Sequence, residues 1–143
     1  MDLNLKDKVV AIAGGTSGIG EAVAMAFAKE GCKVAVCGRS QSKIDAMQAA
    51  FQKEGVELLT MSVDVGVNAQ LKGFTEAVVE AYGRLDIFIN NAGISIRKPF
   101  ETLSEEDWYK VINANQKSVF FGCAFKCARP EAVSSSTHLP LRR

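Results

Sequence analysis

Short runs of consecutive apolar residues alternate along this chain with stretches in which apolar positions recur every three or four residues. Val9–Ala13 is a continuous run, and Lys33–Cys37, Leu58–Val63 and Leu85–Ile89 are apolar-rich with few polar interruptions, the pattern of strands buried on both faces. Between them, Ile19, Val23, Ala26 and Phe27 predict one helix face that stops at Gly31. Ile44, Met47 and Phe51 predict a second ending at Gly55, and Leu71, Phe74, Val78 and Tyr82 a third. After Pro99, Ser104 followed by Asp107 has the form of a capping box and opens a long helix running to about Cys127. Buried strands that are each followed by an amphipathic helix predict a doubly wound α/β fold with a parallel sheet and right-handed crossovers.

In such a fold ligands lie beyond the carboxyl ends of the strands. The first of these ends reads Gly14-Gly15-Thr16-Ser17-Gly18-Ile19-Gly20, a strand, a glycine turn and a helix start. Glycines at 14, 18 and 20 permit positive φ and keep Cβ atoms out of a ligand's way. The opening helix directs unpaired N–H groups and its positive end into the turn, which suits a pyrophosphate. The alternative is a plain turn whose glycines only allow tight packing. The second strand runs into Gly38-Arg39-Ser40, where a site preferring NAD usually carries a carboxylate on the ribose. Arg39 stands there instead, and a guanidinium pairs with a 2′-phosphate, so NADP(H) is expected over NAD(H).

Composition narrows the function further. The 143 residues carry a net charge of +1, with 48% hydrophobic and 23% charged side chains. That balance supplies no global field for nucleic acid or an anionic membrane surface. No apolar run approaches a membrane span, and the first residues lack the apolar core of a signal peptide, so a cytoplasmic protein is expected. Cys32, Cys37, Cys123 and Cys127 fit free thiols. Cys123 and Cys127 share a helix face and His138 offers a third donor, but a Cys-x3-Cys pair alone is not a zinc pattern, and no metal is expected.

Four motifs in order resemble the short-chain dehydrogenase/reductase family. They are Gly14-x3-Gly18-Ile19-Gly20, Asp64-Val65 after the third strand, Asn90-Asn91-Ala92-Gly93 after the fourth, and Asn115 within Val111–Asn115. The match covers about residues 6 to 127, although Ala13 stands where a threonine commonly precedes the first glycine. The resemblance implies a Rossmann-like sheet of order 3-2-1-4 and carbonyl reduction or alcohol oxidation with NAD(P)(H). It implies that Thr16, Ser17 and Ile19 join the glycines at the cofactor, with Ser40 beside Arg39. Asp64 with Val65 would meet the adenine, and Asn91, Ala92 and Gly93 the adenosine-side ribose. Asn115 would take the family's proton-relay position.

The family's catalytic serine and its Tyr-x3-Lys pair are not found here. Only Tyr82 and Tyr109 occur, and four residues beyond them lie Asp86 and Asn113. Ser134–Ser136 has no following tyrosine or lysine to support it. Missing a positioned acid or base alone lowers rates by about 10²- to 10⁴-fold, so negligible turnover is expected. Residues 1–128 read as an incomplete dinucleotide-binding domain, truncated after the fourth strand and its helix. Residues 129–143 read as an irregular, disordered tail, the mark of a shifted frame, an alternative exon or a truncated product. An uncovered fourth strand and an apolar helix over 104–127 predict self-association. Three readings follow: the cofactor-binding portion of a short-chain oxidoreductase, a non-catalytic dinucleotide-binding or interaction module, or a nonfunctional gene product. Ile94–Phe100 looks somewhat like members acting on sugars, polyols or sugar acids, or on acyl-thioester ketones. Arg97 and Lys98 there would attract an acidic substrate or stand solvated.

Overall fold

A computed structural model describes residues 3–128; the tail over 129–143, with Ser134–Ser136 and His138, lies outside the described residues. Four strands, β1 (Val9–Ala13), β2 (Lys33–Gly38), β3 (Leu58–Ser62) and β4 (Ile87–Asn90), form one parallel sheet in the order β3-β2-β1-β4. The order agrees with the expected 3-2-1-4. Each strand is followed by a helix: α1 (Gly18–Lys29), α2 (Gln41–Lys53), α3 (Asn68–Tyr82) and, beyond a long loop, α4 (Glu105–Ile112) leading to α5 (Ser118–Cys127).

Alternation along the strands divides the core into two layers. Val10, Ile12, Val34 and Val36 face α1 and α2, where they meet Ala24, Ala28, Met47 and Phe51. Val9, Ala11, Ala13, Ala35 and Cys37 face the other way, toward Leu71, Phe74 and Val78 of α3, with Phe121 and Phe125 of α5 packed alongside. Branched side chains on the sheet thus oppose alanines on α1, and sheet alanines leave room for Phe74, an interdigitation that fills both layers.

Several expectations are corrected. The buried face of α1 is Gly20, Ala24 and Ala28, whereas Ile19 is 76% exposed and Ala26 is also exposed. Small residues let this helix lie close to the sheet, while Val23 and Phe27 of the expected stripe pack, partly buried, against the same layer. The regular pairing of β4 starts at Ile87 rather than Leu85. There the Asp86 carboxylate accepts from Val9 N at 2.8 Å, and Asp86 N donates to Val9 O, a side chain standing in for a ladder bond. The long helix is not uniform: a π-helical turn, Asn113–Lys117, joins α4 to α5.

The capping box forms as expected: Asp107 N donates to Ser104 Oγ and Ser104 N to Asp107 Oδ2, each at 3.1 Å. Lys98 is not a free loop cation, because its Nζ sits 2.7 Å from the same buried carboxylate. The Lys98 bond, followed by that from Ser104 N, pulls Asp107 down from 3.8 to about 2. A carboxyl whose folded value lies below its unfolded one stabilises above pH ~4 and loses that contribution as pH falls toward ~2. Acid titration followed by the fluorescence of Trp108, the one tryptophan in the chain, should therefore show Asp107→Asn closing its stability gap with the native chain over that window. A constant gap from pH 5 to pH 2.5 would contradict the linkage.

Candidate functional site

The carboxyl ends of all four strands open on one cleft of about 340 Å³. At the end of β1 the chain folds back so that Gly14 N and Gly15 N both donate to Cys37 O of β2, at 2.9 and 3.1 Å. Gly14 has φ +76, and a Cβ there would lie 2.6 Å from Ala92 Cα; its carbonyl accepts from Asn91 Nδ2 at 2.8 Å. The loop after β4 is therefore pressed directly on the first turn. Gly18 is different: its φ is +59, and a Cβ there would meet nothing within 4 Å. Ser17, which precedes α1, makes no side-chain cap bond, so the first amides of α1 are left for a ligand or water.

Thr16 and Ser17 line the cleft with Gly14. Arg39 and Ser40 line it from the end of β2, Asp64 and Val65 from the end of β3, and Asn91, Ala92 and Gly93 from the end of β4. Gly18, Ile19, Gly20 and Asn115 do not. Gly20 lies behind the turn, where a Cβ would overlap Gly14 O and Asn91 Nδ2, so this glycine serves packing. Asn115 sits in the π-helical turn with its amide tied twice to Ile94: Ile94 N donates to Oδ1 at 2.7 Å and Nδ2 donates to Ile94 O at 2.8 Å. It pins the β4 loop to the long helix.

Sequence reading missed Gly38, Lys43, Val63, Ile94 and Ala114, which also line the cleft. Lys43 was within reach, since it lies in the first turn of α2, at the helix end that Arg39 leads into. Among the described residues neither Arg39 nor Lys43 has an ion-pair partner, and the first turn of α2 holds no acidic residue. That wall of the cleft is cationic. At the end of β3, Asp64 Oδ1 accepts from Gly66 N at 2.9 Å, while Oδ2 has no partner among the described residues.

Neither tyrosine reaches the cleft. Tyr82 is half-buried on α3, its hydroxyl donating to Val34 O at 3.4 Å, and burial followed by the Glu57 charge pushes it up. Tyr109 is exposed on α4. Cys37 is enclosed by the sheet, and burial pushes its thiol up to about 12, which leaves no thiolate at neutral pH. Among the described residues no helix is long and apolar enough to cross a membrane.

A family model described as short chain dehydrogenase matches residues 8–128. A 3beta-hydroxysteroid dehydrogenase of Mediterraneibacter gnavus is 41% identical over 118 residues, which are 82% of this chain and 43% of that protein. Among solved structures, a short-chain dehydrogenase/reductase from Serratia marcescens superposes with TM-score 0.81 at 30% identity, over 87% of this chain and 51% of that one. A variant of the actinorhodin polyketide ketoreductase with NADPH does so with TM-score 0.79 at 32% identity, over 84% and 46%. The chain spans about half the length of the curated relatives it matches.

Proposed function

The chain belongs to the short-chain dehydrogenase/reductase family, and from that premise we infer that its cleft binds a nicotinamide dinucleotide, NADP(H) in preference to NAD(H). The observation that carries this reading is the contrast between the first turn and the wall beside it. The first turn presents uncapped helix amides and an open Gly18, a fit for a diphosphate. The wall presents Arg39 and Lys43, which have no carboxylate partner among the described residues, a fit for one more phosphate on the adenosine ribose. Ser17, Gly18 and Ile19 would hold the diphosphate from the start of α1. Arg39, Ser40 and Lys43 would hold the 2′-phosphate, Asp64 and Val65 the adenine, and Asn91, Ala92 and Gly93 the adjoining ribose. The bound dinucleotide supplies or accepts hydride. Asn115, through its pair of hydrogen bonds to Ile94, would keep the β4 loop where the reactive end would lie and take the family's relay position.

Oxidation of a small alcohol or reduction of a ketone is proposed for a polypeptide of the relatives' full length, in the cytoplasm. The 143 residues by themselves are proposed to hold cofactor without turnover. Tyr82 and Tyr109 support that second reading, because neither lines the cleft and neither is followed by lysine after four residues. Phe100, Trp108, Tyr109 and Phe120 leave much of their surface exposed along the loop and helices α4 and α5, which supports self-association through the segment 104–127. Sedimentation at rising concentration should show growing species, and a single monomer throughout would remove that part.

Thermal denaturation with each cofactor tests the central reading. Ligand that binds only the folded state raises its stability in proportion to occupancy. NADPH should raise the Tm more than NADH at equal concentration. No shift with either would sink dinucleotide binding, and equal shifts would sink the preference alone.

A further inference from the structure

Gln70 is the third residue of α3, the place from which a glutamine ordinarily reaches back to the N–H of the residue that caps its own helix. Here that residue is Val67, which makes no side-chain cap bond and whose N–H donates instead to Asp64 O at 3.0 Å. The Gln70 side chain passes over it and accepts from Asp64 N at 2.7 Å. Asp64 is thereby held at three points: its N–H by Gln70 Oε1, its carbonyl by Val67 N, and carboxylate oxygen Oδ1 by Gly66 N at 2.9 Å. Oδ2 is the Asp64 oxygen with no partner among the described residues, on a residue that lines the cleft. Of the three, only the Gln70 bond comes from an exposed side chain; the other two belong to the backbone of the turn itself.

Resting on the dinucleotide reading above, we propose that Gln70 is a positioning residue that aims the free oxygen of Asp64 at the base, and so sets discrimination for an exocyclic amino donor. A carboxylate oxygen fixed in place accepts an N–H and repels a carbonyl oxygen at the same spot. Freeing the Asp64 amide lets the turn rotate about its two remaining bonds, and the carboxylate then adapts to either base. The position is ordinary for helix stability, since Gln70 touches Asp64 without capping α3.

The test is calorimetric titration of the 143-residue chain with NADPH and with its hypoxanthine analogue, in which a carbonyl replaces the adenine amino group. The native chain should favour NADPH by about tenfold or more, the range of one hydrogen bond to a charged group. Gln70→Met, similar in size with only a weak thioether acceptor, should reduce that ratio to within about threefold while lowering the Tm by no more than about 5 °C. Gln70→Glu, which keeps an acceptor oxygen, should retain most of it. An unchanged ratio in Gln70→Met overturns the proposal while dinucleotide binding stands. Failure of the native chain to bind either cofactor overturns both. A ratio lost equally in Gln70→Met and Gln70→Glu would also overturn it, by showing that the acceptor is not what matters.

Discussion

Replacing Gly14 by alanine should abolish cofactor binding and remove a large share of the folding stability. Two independent penalties meet at this position. Its φ of +76 lies in the left-handed region, and a Cβ would stand 2.6 Å from Ala92 Cα and 2.7 Å from Ala92 N. Backbone atoms cannot swing aside as the end of a flexible side chain can. The left-handed backbone costs about 1–2 kcal/mol and overpacking about 1–3 more, roughly 2–5 in sum. Set against a domain's typical 5–15 kcal/mol, that should lower the Tm by about 10 °C or more. It also pushes the Ala92 loop off the first turn and breaks the Asn91 bond to Gly14 O, so the cleft loses its shape. Gly18→Ala makes the informative contrast, since its only structural penalty is φ +59 in open space. It should fold with a smaller loss and weaken binding chiefly where the new methyl meets the ligand. Equal Tm values for Gly14→Ala and the native chain would show that the two loops are not in contact.

Removal of the Arg39 guanidinium is the second large effect. A charge-assisted bond to phosphate contributes about 1.5–3 kcal/mol, so Arg39→Ala should weaken NADPH binding about ten- to a hundred-fold. NADH, which carries no 2′-phosphate, should bind as before. Lys43 remains on the same wall in this variant and holds part of the preference, so Arg39→Ala with Lys43→Ala should bring NADPH and NADH to parity. Raised salt should erode the NADPH advantage in the native chain as well, because the wall is open to solvent. Titration of both cofactors against the three proteins reads all of this. NADPH affinity that survives the double substitution would move the 2′-phosphate contact elsewhere.

The strands, the glycine turn and the capping box of α4 were readable from local pattern because local chemistry decides them. Continuous apolar runs need both faces buried, and Ser104 and Asp107 bond to one another across a single helical turn. Reading failed where the deciding partner was distant. Of the hydrophobic stripe expected on α1, Val23 and Phe27 pack partly buried while Ile19 and Ala26 stay exposed, and Gly20, Ala24 and Ala28 lie deepest, because closeness to the sheet rewards absence of bulk and hydropathy does not register it. Lys98 looked like a free cation until Asp107 of another element came within 2.7 Å. Ile94 and Ala114 come together at the cleft from the β4 loop and the long helix, two segments that Asn115 bonds to one another.

By itself the sequence determined a parallel α/β sheet with its ligand-facing turn after the first strand, since hydrophobic period and glycine spacing are properties of neighbours along the chain. Tertiary structure alone divided the glycines by purpose, Gly14 and Gly20 for contact with Asn91 and Ala92, and Gly18 for open space before α1. It also set Gln70 upon Asp64. These are short-range steric and hydrogen-bonding relations between segments that folding brings together, and no linear period encodes them.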